Sequence, residues 1–238
     1  MPDAHIDAIA ARLASRRPAS GPLVVGITGA VAAGKSTFAG QLRDALRGLD
    51  LASEIVCTDG FLMPNERLTA LGILDQKGFP PSYDTPALHA ALDAIRIGPA
   101  TFPIYSHALY DIDPALAQTI DPPDVLIVEG LNLHHRADAP PGAADPLDLL
   151  IYIDAEETLL EAWFLVRFMG LYEAAEHDPT SFYHRFRPLG REGTEGVARQ
   201  VWQAINLKNL REHIVRARDG ADLVVRKGEG HAIAAVEG

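Results

Sequence analysis

Residues 23–37 read LVVGITGAVAAGKST, and this stretch decides the fold. Residues 23–28 are apolar or β-branched apart from Gly26. Then come Gly29, the small or apolar Ala30, Val31, Ala32 and Ala33, and Gly34-Lys35-Ser36-Thr37. The spacing G-x-x-x-x-G-K-[ST] is that of a phosphate-binding loop. Its chemistry explains its residues. Glycines at 29 and 34 let the backbone wrap an anion and aim N–H groups inward, where a Cβ would crowd it. Lys35 can reach the outer phosphates, Ser36 can place a hydroxyl on Mg²⁺, and the helix that starts here adds the positive end of its dipole. By average composition the four fixed positions coincide in roughly one chain in a hundred of this size. The buried strand before the loop and the helix after it therefore carry part of the argument.

Working outward, the chain has 238 residues, enough for a sizeable core and most simply one α/β domain. A net charge of -11 without a long basic run argues against a nucleic-acid surface. It leaves nucleotide binding open, since backbone amides and one lysine suffice locally. Cys57 is the only cysteine, which excludes an intrachain disulfide and a cysteine metal cluster. No apolar run is long enough to span a membrane, and residues 1–22 lack a signal-peptide core. The expectation is a cytoplasmic protein that binds neither nucleic acid nor membrane.

The periodicity predicts helices over residues 3–17, 35–47, 64–71, 87–97 and 156–172, and one long helix over 194–218. It predicts buried strands over 23–28, 53–57, 125–128 and 149–154, and a short final strand over 221–226. Residues 78–84 read as a loop, 101–113 as extended or irregular, and 227–238 as a tail. Residues 137–148, rich in Ala, Pro, Gly and Asp, are the expected mobile loop. Five apolar strands separated by helices imply an α/β fold with a parallel, doubly wound sheet.

Carboxylates mark the strand ends. Glu129 closes a buried strand, where it can hold Mg²⁺ directly or through water. Asp59 follows another strand and reads either as a general base for an acceptor hydroxyl or as a plain Asp-Gly turn residue. Arg167, between Phe164 and Phe168, either pairs with a core carboxylate or reaches into a site to neutralise a transferred phosphate. Arg185 and Arg187 read as solvated, and the adjacent His134 and His135 as surface histidines without metal-ligand spacing. Trp163, Phe164, Phe168, Phe182 and Tyr183 read either as core or as lining for an acceptor pocket. Asn206 and Asn209, in an apolar helix, call for either a structural hydrogen bond or a substrate contact.

These motifs sit within a series: GITGAVAAGKST, TDGFLMPNERL, KGFPPSYD, PIYSHALYD, DVLIVEGLN, LLIYIDA, WFLVRF, INLKNL and KGEGHAI. From about Pro22 to the C-terminus the chain resembles the bacterial type I pantothenate kinases, within the phosphoribulokinase/uridine kinase group of P-loop kinases. The resemblance implies one three-layer P-loop kinase domain over residues 1–238, with a mainly parallel five-stranded core sheet. It also implies a short N-terminal helix over 1–21 and a helical lid and acceptor region at about 160–192. The implied reaction moves the γ-phosphate of ATP onto the terminal hydroxyl of pantothenate, the first step of coenzyme A biosynthesis, with Mg²⁺. By the same resemblance Lys35, Asp59 and Arg167 are catalytic, and the loop residues 29–37 bind nucleotide with Lys227 and His231 near the adenine. Ser36 and Glu129 take the metal. Asp59, Tyr105, His107, Phe164, Arg167 and Asn206 face the acceptor, and the enzyme is a possible homodimer.

Three departures stand out. Only about twenty residues precede the first strand, fewer than the family usually carries. Phe164 replaces a tyrosine whose hydroxyl contacts pantothenate; a lost hydrogen bond of that kind costs on the order of 1 kcal/mol. Gly40 replaces an arginine that helps bind coenzyme A in feedback inhibition, so coenzyme A is expected to inhibit weakly or not at all. The alternatives are a kinase of the same group acting on a nucleoside or sugar, and a nucleotide-binding regulator without catalysis.

Overall fold

The structure, a computed structural model, describes residues 4–135 and 145–238. In chain order the elements are α1 (Ala4–Ser15), β1 (Leu23–Gly29), α2 (Lys35–Arg47), β2 (Ser53–Cys57), α3 (Asn65–Ala70) and α4 (Thr85–Ile95). There follow β3 (Ala100–Ser106), β4 (Asp111–Ile120), β5 (Val125–Glu129), β6 (Leu149–Asp154) and α5 (Glu157–Ala174). The chain closes with α6 (Gly190–Val201), α7 (Leu207–Glu212), β7 (Leu223–Lys227) and β8 (Ile233–Glu237).

The central sheet runs in the order β2-β5-β1-β6-β7-β8. Its first five strands are parallel, as the apolar runs predict, and β8 is antiparallel to β7. Every residue of β1 is buried, and so is every residue of β5. Successive side chains point to opposite faces, so both faces of the sheet are covered. Helix α2 turns Phe38, Ala39, Leu42 and Leu46 inward, and α1 adds Ile6, Ile9, Ala10 and Leu13 to the same core. Among the described residues no helix is long and apolar enough to cross a membrane.

Two expectations are corrected, for the tail and for the long helix. The tail is structured: β8 pairs with β7, from Val224 opposite Glu237 to Lys227 opposite Ile233. Residues 101–113 belong to a β3–β4 hairpin outside the main sheet, with a register shift between Phe102 and Ile104 around Pro103, which has no N–H to give. Strand β4 is almost wholly solvent-facing, so no hydrophobic alternation marked it. The long helix of 194–218 is broken: α6 ends in a wide π-type turn, Trp202–Asn206, before α7, and a short 3₁₀ turn, Ile214–Ala217, follows. Of the expected mobile loop, residues 137–144 lie outside the described ones. Asp148 is tied down, accepting from the Val24 N–H at 2.8 Å and from the Arg96 guanidinium at 3.1 Å.

Candidate active site

Parallel strands present their carboxyl ends on one edge of the sheet, where open α/β folds bind ligands. The order β2-β5-β1 makes three such ends neighbours. Glu129 of β5 lies opposite Ile27 of β1 and Cys57 of β2. The phosphate loop leaves β1, and Asp59 sits in the 3₁₀ turn Thr58–Phe61 that leaves β2. Topology thus gathers the loop and both acids from distant parts of the sequence.

The loop has the backbone its motif requires. Gly29 has φ 142°, and a Cβ there would lie 2.4 Å from the Ile153 carbonyl oxygen, so no side chain fits. Gly34, at φ 81°, opens α2, with Ala32 also left-handed at φ 64°. A nonglycine residue in that region is strained, and such strain concentrates at functional sites. The Lys35 ammonium donates to the carbonyls of Gly29 (3.1 Å) and Ala30 (2.9 Å). The residue as a whole is half-buried, but the ammonium is its enclosed end. Desolvation there pushes its pKa down, and the fields of Glu129 and then Asp59 oppose the fall. The Ser36 hydroxyl donates to Glu129 Oε1 at 2.7 Å.

Asp59 accepts from the Tyr83 hydroxyl at 3.2 Å. Burial, then the Asp59 charge, pushes the Tyr83 phenol well up, so it stays protonated and donates. Tyr83 reaches the acid because residues 61–63 and 82–84 are laced together. Met63 N–H donates to the Ser82 carbonyl at 2.9 Å, and Asp84 N–H to the Phe61 carbonyl at 2.8 Å. Tyr83 escaped the sequence reading. The conspicuous KGFPPSYD segment marked its neighbourhood, but nothing local names its partner.

The β3–β4 hairpin brings up Tyr105 and His107. Their rings meet edge to face at 5.2 Å. Arg167 Nη2 lies 3.5 Å from His107 Nε2. The imidazole is open to solvent on one side, yet burial first and the Arg167 charge second push its pKa down. A neutral ring can accept from the guanidinium. Lys77, a second residue the sequence reading missed, donates to Asn65 Oδ1 at 2.6 Å and to the Tyr110 carbonyl at 2.7 Å. Its ammonium lies 4.8 Å from the Tyr105 ring centre and 4.5 Å from that of Tyr110. Tyr110, left-handed at φ 56°, stacks on Phe182 at 4.1 Å. A cleft of about 720 Å³ opens beside this stack, lined also by Asp75 and Arg185.

Phe164 is buried against Phe168 and Trp202, at 5.8 and 5.7 Å between ring centres. Asn206 lies in the wide turn and is half-buried. Asn209 makes the structural bond: its amide and that of Asn132 both donate to the Gly78 carbonyl, at 2.8 and 2.7 Å. Lys227 and His231 come to the phosphate loop from the far edge of the sheet. A Cβ on Gly34 would lie 3.2 Å from Lys227 Nζ and from His231 Nδ1. His231 stacks on Trp163 at 3.8 Å.

Two bland expectations are corrected. Arg185 covers the Phe182 and Phe186 rings at 5.0 and 5.6 Å, and Arg187 lies over Tyr172 at 4.5 Å while pairing with Glu176 at 3.2 Å. Arg185 nevertheless stays exposed, as expected, whereas Arg187 is half-buried, its guanidinium covering an aromatic face. His135 is not a plain surface residue either. Its ring bridges Asp145 and Asp222, each at 3.0 Å.

The chain is similar to known proteins. A protein named pantothenate kinase from Rhizobium rhizogenes is 45% identical, the match covering 89% of this chain and 67% of that one. Its namesake in Agrobacterium fabrum is 44% identical over 89% of this chain and 69% of its own. Among solved structures, D-glycerate 3-kinase from Cryptococcus neoformans superposes with a TM-score of 0.70 over 99% of both chains, at 17% identity. A structure described as a fructose transport system kinase from Silicibacter gives 0.63 at 24% identity, over 84% of this chain and 95% of that one. At such identities these two speak for the fold alone, and the fold is that of P-loop kinases. The sequence model of one family matches residues 24–170, from the strand before the phosphate loop into the helix that carries Arg167: the chain belongs to the phosphoribulokinase/uridine kinase family.

Proposed function

We propose that this protein is an ATP-dependent kinase that phosphorylates the terminal hydroxyl of pantothenate. The carrying observation is the convergence of Lys35, the Ser36–Glu129 pair and the Tyr83-oriented Asp59 on one sheet edge. The relatives named pantothenate kinase, 43–45% identical over most of this chain, point to the acceptor.

Loop residues 29–37 take the ATP phosphates, and Lys35 meets their outer charge. The Ser36 hydroxyl and Glu129 carboxylate form a hard-oxygen donor pair that fits Mg²⁺, which when bound offsets phosphate charge. Asp59 takes the acceptor hydroxyl proton as the oxygen–phosphorus bond forms and the bond to the departing ADP breaks. Tyr83 holds one Asp59 oxygen in place. His107, with its pKa held down, adds no charge beside Arg167, so the guanidinium faces the transferring phosphate at full strength. Tyr105, His107 and Asn206 line the acceptor side. Lys227 and His231 hold the nucleotide end. The aromatic segment after Arg167 shields the reaction from water. The family resemblance also suggests a pair of identical chains in solution, which sedimentation tests.

A coupled assay of ADP release tests the reading. Release that depends on pantothenate supports it; release without any acceptor dependence overturns it. A second reading changes only the acceptor, to a nucleoside or sugar. It rests on Phe164, which offers no hydroxyl where the family has one, and the same assay with those compounds separates the two.

A further inference from the structure

His231 is held in an unusual backbone. It ends the turn Glu229–His231 at φ 62°, directly after Gly230 at φ 63°. Gly230 adopts this region freely, but a left-handed His231 is unfavourable unless contacts hold it there. Two contacts do so. On one side the imidazole abuts Gly34, close enough that a Cβ there would sit 3.2 Å from Nδ1. On the other it lies on the Trp163 indole, the ring centres 3.8 Å apart and the planes within 26°. The imidazole is thus sandwiched between the phosphate loop and α5. Burial and then the nearby Lys227 charge keep its pKa down, so the stack is one of neutral rings.

Trp163 and Arg167 are one helical turn apart, on the same face of α5. Leu160 and Phe164 are buried on the same side of the helix, and Trp163 is itself partly buried against that core. Arg167 itself is exposed, and its Nη2 lies at the long distance of 3.5 Å from His107 Nε2. The stack one turn before Arg167 ties this stripe of α5 to the phosphate loop.

We propose that Trp163 is a positioning residue, whose stack on His231 docks the Arg167 face of α5 onto the phosphate loop and so sets the guanidinium for phosphoryl transfer. The proposal rests on the kinase reading above. It makes the nucleotide end of the site and the arginine that meets the transferring phosphate one mechanical unit.

The test uses the full chain and the pantothenate-dependent ADP assay. Trp163→Leu keeps apolar bulk but loses the stack, and His231→Ala removes the partner from an exposed position. Each is expected to lower kcat about tenfold or more. Trp163→Phe is expected to recover most of the loss. The decisive arm is Arg167→Ala. Combined with Trp163→Leu it should turn over no slower than Arg167→Ala alone, because Trp163 acts through Arg167. A merely structural Trp163 would multiply the two losses, and that result overturns the proposal. So does a rise in the KM for ATP with kcat unchanged in Trp163→Leu. The chain has two tryptophans, so a Trp202→Phe background isolates Trp163 emission. There, His231→Ala should shift the emission, and ATP titration should change it. Constant emission in both overturns the stack even if no acceptor were turned over, which keeps this failure distinct from failure of the kinase reading.

Discussion

His135 lies between two carboxylates, Asp145 on Nδ1 and Asp222 on Nε2, both at 3.0 Å. Only the imidazolium can donate from both nitrogens; a neutral ring turns a lone pair toward one of the acids. Burial lowers the pKa of the ring, but the hydrogen bonds to Asp222 and Asp145 and the fields of both acids outweigh it, and the net shift is upward from 6.5. A raised folded pKa means stability fully present below the unfolded value and lost as pH rises through the folded one. The relevant window therefore opens near pH 6.5 and extends upward. Deprotonation removes one charge-assisted bond of about 1.5–3 kcal/mol, and side chains exposed by a quarter to a third (26%, 28% and 31%) reduce that to roughly 1–2 kcal/mol. His135→Asn keeps a donor but cannot titrate. Urea unfolding of both proteins, from about pH 5.5 to about pH 8.5, isolates this residue from the other histidines, since only the difference is read. The advantage of the parent over His135→Asn should shrink by about 1–2 kcal/mol across that range. An advantage that stays constant, or grows with pH, refutes the reasoning.

Asp59→Asn should cut kcat by roughly 10²–10⁴ while leaving ATP affinity, read by calorimetry, close to that of the parent. Near-normal turnover would remove Asp59 from the reaction. Chelation with EDTA should stop turnover reversibly without shifting the unfolding midpoint, and Mg²⁺ should restore it; persistent turnover contradicts the Ser36–Glu129 assignment. Coenzyme A should inhibit weakly, and Gly40→Arg should strengthen inhibition, since a Cβ at Gly40 would meet nothing within 4 Å. Strong inhibition of the parent at low micromolar coenzyme A, competitive with ATP, would overturn this.

What could be read from the sequence follows from where each residue finds its partners. Strands β1, β5 and β6 are nearly all buried, so both faces select apolar side chains and the run itself is the signal. Lys35, Ser36 and Glu129 were legible because a motif or a strand end fixes their place. Strands β4 and β8 sit at edges with solvent-facing residues, and no periodicity distinguishes them from loop. The break at Trp202–Asn206 needs no proline or glycine, so the helical pattern ran through it. Tyr83 and His135 were opaque for another reason. Asp59 lies 24 residues from Tyr83, and Asp222 lies 87 from His135; no local pattern encodes such pairings.

The strand order has a further consequence, for the history of each molecule. Strands β1 and β2 come first from the ribosome but never pair with each other; β5 enters between them only after residue 125, and β6 closes the other side of β1 later still. Ser36 meets Glu129 across 93 residues. A nascent or proteolysed chain lacking β5 has the phosphate-loop sequence but neither the flanking strand nor the acid that completes the site. Binding then rewards the finished sheet most. At a nucleotide concentration of about a hundred times Kd, ATP adds roughly 2.7 kcal/mol to the completed fold and less to a precursor that binds it more weakly. In the cell the substrate thus also acts as a selective stabiliser of fully assembled copies.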